Sequence, residues 1–183
     1  MGHTRYISDA QNAKRKIYME KTYTIEKIDP PLQNDSNPTK VCFVCTGNTC
    51  RSPMAAAILN HLGKGKYVAE SAGIMASKGS PISANALSAL KKAGIESTPD
   101  NNYEAHKARQ LDMGIIDSCD KIVAVSAGHA MMIIQSYPLY ASKITSLDKN
   151  ISDPFGHDGD SYYNCLLEIK ECIKNMFVLD TEE

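Results

Sequence analysis

Net charge is almost absent. Twenty Lys and Arg stand against 21 Asp and Glu, a formal charge of −1 over 183 residues. A chain so balanced generates no overall field for nucleic acid or a membrane surface, and neither is expected as a partner. Any anion site must therefore be built locally. No apolar run reaches the length of a membrane span, and none near the start reads as a secretory leader. The expected location is the cytoplasm. The sequence also lacks internal repeats and low-complexity tracts. It is not small or loop-rich in the manner of disulfide scaffolds, so its six cysteines are expected to be reduced thiols. Four of them, Cys42, Cys119, Cys165 and Cys172, read as small buried apolar residues.

What is present suits one soluble globular domain, with 43% hydrophobic and 22% charged residues. Residues 1–39 are polar, carry Lys14-Arg15-Lys16 and end in Pro30-Pro31 and Asn34-Asp35-Ser36-Asn37-Pro38. They read as a flexible extension or linker, with a short docked strand at Tyr23 and Ile25 as the alternative. The domain is expected over 40–183. Val41-Cys42-Phe43-Val44 reads as a buried parallel strand. Ser52 then Pro53 read as an N-cap and first-turn proline, opening a helix with Ala56, Ile58, Leu59 and Leu62 as its apolar stripe. A strand at Tyr67-Val68-Ala69 closes in Ser71-Ala72-Gly73. A helix over Ala84 to Ala93 turns Leu87, Leu90 and Ala93 inward. Lys121 to Val125 forms a third strand, a helix crosses Ala130, Met131, Ile133 and Ile134, and Ile144 sits in a fourth strand. The last helix, about Ser161 to Phe177, presents Cys165, Leu166, Ile169, Cys172, Ile173 and Met176 on one face. Alternating strands and helices predict a three-layer α/β/α fold with a four-stranded parallel sheet.

The segment with chemical content is Val44-Cys45-Thr46-Gly47-Asn48-Thr49-Cys50-Arg51-Ser52-Pro53, running from a buried strand into a helix start. Unpaired N–H groups and positive dipole charge at that start favour an anion, and a tight loop can curl more amides around it. Gly47 and Asn48 are residue types that tolerate the dihedrals of such a curl. Thr46, Gly47, Asn48, Thr49, Cys50 and Arg51 are the expected phosphate-binding residues. The same amides stabilise a thiolate, which makes Cys45 the candidate nucleophile. Arg51, after five intervening residues, can return its planar fork over two phosphate oxygens. Thiol, cradle and arginine suffice in principle for phosphoryl transfer without a metal ion or other cofactor.

These residues resemble the low-molecular-weight protein phosphatase family, whose members open with an apolar strand and C-x-G-N-x-C-R-S-P. The resemblance extends over about residues 40 to 179 through Ser71-Ala72-Gly73, His106-Lys107-Ala108-Arg109-Gln110 and Asp153-Pro154. It implies Asp153 as general acid, protonating the leaving group and later activating water. Spacing alone does not select Asp153 from Asp148, Asp158 and Asp160. The resemblance further implies that Asn48, Ser52 and His106 brace the loop. It also implies that Cys45 and Cys50 can close a reversible protective disulfide. Phosphorylated proteins are the implied partners, with phosphate or other oxyanions in the loop.

Thr49 bears on the substrate. Phosphotyrosine-specific members often carry a larger aliphatic residue there, whereas the bacterial protein-arginine-phosphatase branch resembles this loop through Cys-Thr-Gly-Asn-Thr-Cys-Arg. Asp153-Pro154-Phe155-Gly156 is similar to that branch too. Two departures from the common pattern are Val125-Ser126 after the third strand and Ala57 in place of an acidic residue. The resulting expectation is a phosphoarginine phosphatase. Its alternatives are a protein-tyrosine phosphatase of the same family and a thiol-dependent arsenate reductase, the latter weakened because Cys119 has no partner nearby along the chain.

Overall fold

The computed structural model describes residues 27–28 and 37–179. Tyr23, Ile25, Lys14-Arg15-Lys16 and Pro30-Pro31 lie outside the described residues. Four parallel strands, β1 (Thr39–Cys45), β2 (Tyr67–Gly73), β3 (Lys121–Ala124) and β4 (Ile144–Ser146), pair in the order β2-β1-β3-β4. The helices are α1 (Arg51–Leu62), α2 (Ala84–Lys92), α3 (Met113–Ser118), α4 (Ala127–Ser136) and α5 (Gly159–Met176), with a 3₁₀ turn over Pro138–Lys143. The short α3 and the 3₁₀ turn had no periodic signal, being only about one to two turns long.

Strand alternation divides the interior into two layers. Val41, Phe43, Cys45, Val123 and Val125 face a core shared with α1, α2 and α5. Cys42, Val44, Ile122 and Ala124 face the opposite core, shared with α3 and α4. The connection after β1 thus leaves on one face and the connection after β3 on the other. The carboxyl end of β1 lies at that switch, where open parallel sheets leave a crevice for ligands. Cys45 is its last residue.

Several expectations shift. Ser52 is not the N-cap of α1: Cys50 holds the cap position without a side-chain bond, and Ser52 lies inside the first turn. Its hydroxyl is drawn instead toward Cys45, as described below. Nor is α1 apolar on one stripe only. Ten of its 12 residues are buried, because sheet, α2 and α5 enclose it. In α2 the fully buried positions are Ala86, Ala89 and Leu90, with Leu87 and Ala93 packed at the margin. Met131 of α4 faces outward, while Ala130 and Ile133 are buried. All six expected apolar positions of α5 are buried. Ile28, ahead of the expected boundary near Lys40, docks on the domain. Its N–H donates to the Met176 carbonyl (2.6 Å), and its own carbonyl accepts from the Tyr67 hydroxyl (2.8 Å).

Candidate active site

The loop after β1 is held from three sides. From the turn after β2, the Ile74 N–H donates to the Cys45 carbonyl and the Met75 N–H to the Thr46 carbonyl, both at 2.9 Å. Gly73 makes this approach possible: a Cβ there would stand 2.5 Å from the Thr46 carbonyl oxygen. From the loop before α2, the Ser83 N–H donates to the Thr49 carbonyl at 2.9 Å. The third side is Asn48. It alone in the loop takes a left-handed backbone, φ 57°. Gly47, expected to share that role, has no positive φ, and a Cβ on it would meet only the Thr49 Oγ1 at 3.7 Å.

Asn48 is fully buried and every polar atom of its amide is engaged. Nδ2 donates to Ser52 Oγ (3.0 Å) and Ser71 Oγ (2.9 Å), and Oδ1 accepts from the Arg109 N–H (2.9 Å). Its carbonyl accepts from His106 Nε2 at 2.7 Å. Burial first, then the Arg109 charge, hold the His106 imidazole below its ordinary pKa, against the opposing pull of the Asn48 carbonyl. Arg109 reaches further, from its Nε to the Ser71 carbonyl (3.0 Å) and from its guanidinium to Glu70 (2.7 Å). The structure therefore brings Asn48, Ser52 and His106 into one bonded set, and adds Ser71 and Arg109 to it.

The Cys45 sulfur ends in this set. The Asn48 N–H points at it from 3.3 Å, and Ser52 Oγ lies 3.0 Å away. Ser52 Oγ also accepts from Asn48 and donates to the Ala72 carbonyl at 3.2 Å. Its single proton can face either Ala72 or the sulfur. With Cys45 as a thiol, the S–H supplies the proton between them; with Cys45 as a thiolate, the Ser52 hydroxyl can turn to donate to it. The Arg51 and Ser52 amides, ahead of any helical i−4 carbonyl, add to the positive end of α1.

Arg51 and Asp153, 102 residues apart, meet above the loop as a short charged pair. Arg51 is buried, and its Nη1 also donates to the Ile151 carbonyl at 3.4 Å. Asp153 is half-exposed, and its Oδ1 accepts from the Phe155 N–H at 3.2 Å. The three neighbouring carboxylates are used elsewhere. Asp158 caps α5, Asp160 pairs with Lys92 and Asp148 accepts from Asn175. A fork that fits the Asp153 carboxylate fits phosphate oxygens equally well.

Cys50 is a free thiol, as are the other five cysteines. Its sulfur lies 3.3 Å from the Tyr162 hydroxyl, 3.5 Å from Ser83 Oγ and 3.6 Å from Thr49 Oγ1. Burial and this thiol push the Tyr162 phenol up to about 12. Tyr162 precedes Cys165, Leu166 and Ile169 by three, four and seven residues, so the inward face of α5 already carried the signal for it. His129, to which no role was assigned, stands at the loop through Thr46 Oγ1 (3.0 Å). The Cys119 thiol donates to Glu70 Oε1 at 3.2 Å and lies in the same core layer as Cys42. Cys119 first, then burial, raise the Cys42 thiol well above its ordinary range. Among the described residues, no group of three His, Cys, Asp or Glu side chains is placed to hold a metal ion.

The family model described as low molecular weight phosphotyrosine protein phosphatase matches residues 40–182. A protein-arginine-phosphatase of Geobacillus stearothermophilus is 36% identical over 146 residues, covering 76% of this chain and 94% of its own. The low molecular weight protein-tyrosine-phosphatase Ptp of Acinetobacter johnsonii is 30% identical over 137 residues, covering 73% and 92%. The solved YwlE arginine phosphatase from Geobacillus stearothermophilus superposes with a TM-score of 0.67 at 38% identity, over 75% of this chain and 90% of that one. A cysteine at the end of the first strand, an arginine opening the next helix and this continuous match lead to one conclusion: the chain belongs to the low molecular weight phosphotyrosine protein phosphatase family.

Proposed function

We propose that the protein is a protein-arginine phosphatase that works through a phospho-cysteine on Cys45. The observation that carries the chemistry is the Cys45 sulfur between the Asn48 N–H at 3.3 Å and the Ser52 hydroxyl at 3.0 Å, beneath the Arg51–Asp153 pair. The Asn48 N–H points at the sulfur, and the Ser52 hydroxyl can turn to donate to it. The thiolate attacks phosphorus and the bond from phosphorus to the leaving atom breaks. Asp153, in its protonated form, passes its proton to that atom. Arg51 and the loop amides hold the equatorial oxygens as charge spreads over them. Asp153 then takes a proton from water, which attacks phosphorus, releases phosphate and returns the thiolate. Asn48, Ser52 and His106 hold the loop in shape throughout. Cys50 is the resolving thiol for Cys45 under oxidation. The thiolate must stay reduced to work, which fits a reducing compartment such as the cytoplasm.

Phosphoarginine is favoured by Thr49, whose side chain is half-buried in the loop with its hydroxyl toward Cys50. A short polar residue leaves room for a planar guanidinium beside the phosphate. The tyrosine phosphatases among the relatives support phosphotyrosine as the second reading. An arsenate reductase would need a thiol relay outward from Cys45, and Cys119 lies in the opposite core layer.

The deciding measurement is kcat/KM for phosphoarginine against phosphotyrosine in otherwise identical peptides. We expect the parent to favour phosphoarginine by more than tenfold, a difference of about 1.4 kcal/mol in transition-state stabilisation. Thr49→Ile should lower that ratio at least tenfold. A parent that prefers phosphotyrosine overturns the phosphoarginine reading. Cys45→Ser that retains full turnover overturns the nucleophile.

A further inference from the structure

We propose that His129 is a positioning residue for substrate choice: clamped between Ser126 and Thr46, it fixes the Thr46 hydroxyl at the mouth of the loop as a hydrogen-bonding contact for a guanidinium leaving group. The proposal rests on the phosphoarginine reading and deepens it.

Thr46 follows the nucleophile directly. Its carbonyl is pinned by the Met75 N–H, while its side chain is exposed. His129 stands in the first turn of α4, whose N-cap is Ser126. The contacts admit the tautomer with the ring proton on Nε2. Ser126 Oγ accepts from the His129 N–H at 3.4 Å, the capping bond. Its own proton can be given to His129 Nδ1, only 2.6 Å away. Nδ1 is then the bare nitrogen of a neutral ring and the ring proton sits on Nε2. Nε2 donates to Thr46 Oγ1 at 3.0 Å. The Thr46 oxygen keeps one lone pair and its own proton, both directed by a contact it cannot rotate away from without breaking.

The ring is suited to stay neutral. Burial first, and then the charge of Arg51, hold its pKa below the ordinary imidazole value, with Asp153 opposing. Those two side chains are the reacting pair, so the imidazole lies within electrostatic reach of the site itself. A guanidine carries N–H donors on its nitrogens, and the free lone pair of Thr46 can accept one. A phenol ring offers no such donor and gains nothing from that lone pair. A contact present for one leaving group and absent for the other is a specificity device rather than a general support.

The test measures kcat/KM for matched phosphoarginine and phosphotyrosine peptides in the parent, His129→Ala, His129→Gln and Thr46→Val, with a thermal melt of each. We expect His129→Ala to lower the phosphoarginine-to-phosphotyrosine ratio at least tenfold. His129→Gln, whose side-chain amide can place a donor near the Nε2 position, should restore the ratio to within threefold of the parent. Thr46→Val should match His129→Ala, and the double variant should be no worse than either alone. Equal losses on both substrates would reduce His129 to a structural tie and overturn the proposal, as would an unchanged ratio in Thr46→Val. A parent that favours phosphoarginine and keeps its ratio in His129→Ala sinks this proposal alone. A parent that favours phosphotyrosine sinks the underlying reading with it.

Discussion

Asn48 combines a left-handed backbone with full burial, and it ties the loop to β2, α1 and the segment carrying Arg109. Asn48→Ala removes three side-chain bonds at about 1 kcal/mol each and places a Cβ residue with less tolerance at φ > 0, for about 3–4 kcal/mol in all. Urea unfolding should show that loss, and hydrolysis of an aryl phosphate should fall at least 100-fold. Asn48→Gly relieves only the backbone, so it should recover about 1 kcal/mol of stability and none of the activity. Gly73→Ala acts on the same loop from outside. A Cβ 2.5 Å from the Thr46 carbonyl must displace the chain next to Cys45. We expect kcat/KM to drop at least tenfold while phosphate still binds, which a titration with inorganic phosphate would report. A Gly73→Ala variant with parental kcat/KM would show that the loop tolerates the shift.

At the scale of elements, α1 and α5 carry the site between them. Arg51 opens α1, Tyr162 leaves α5 toward Cys50, and the two helices pack on each other. Ile169, fully buried in the middle of α5, is the side chain to remove. Ile169→Ala should cost about 2–5 kcal/mol in urea unfolding, and kcat at 25 °C should stay within threefold of the parent while the protein remains folded. The elements that could be read from sequence are those with an uninterrupted local pattern. Val41 to Val44 is apolar at every position because both faces of β1 are covered, and the α5 stripe, Tyr162 to Met176, repeats for about four turns. The α1 start was misread because Ser52-Pro53 carries the local signal of a cap, while a tertiary demand, the Cys45 sulfur 3.0 Å away, claims the hydroxyl. Gly47 was credited with a curl that Asn48 performs, since both types tolerate it. His129 and Tyr162 were legible only as members of helices. Their partners Thr46 and Cys50 lie 83 and 112 residues away. No local pattern reports a meeting over that separation.

Over the whole molecule, two half-buried imidazoles tie folding to pH. His106 and His129 both have folded pKa values below the usual value of 6.5, burial being the largest cause for each. Below that value the unfolded chain takes protons that the folded chain refuses, so stability is full above it and falls as pH drops through it. The carboxylates of Asp148 and Asp158, shifted downward from 3.8, act in the same direction but in a more acidic window. Urea midpoints should therefore decline between pH 7 and 5.5. His106→Gln, which can still place a donor toward the Asn48 carbonyl, should flatten part of that slope; an unaltered slope would assign it to other groups. The sheet has a different consequence for sulfur. Cys42 and Cys45 are three residues apart on one strand, yet the pleat turns them to opposite sides, and Cys50, Cys165 and Cys172 share the side of Cys45 while Cys119 shares that of Cys42. Thiol exchange requires sulfur atoms to touch in line. The hydrogen-bonded ladder is thus a partition between two sulfur populations, and an oxidising equivalent that reaches the nucleophile has no route to Cys42 or Cys119 unless the strands separate.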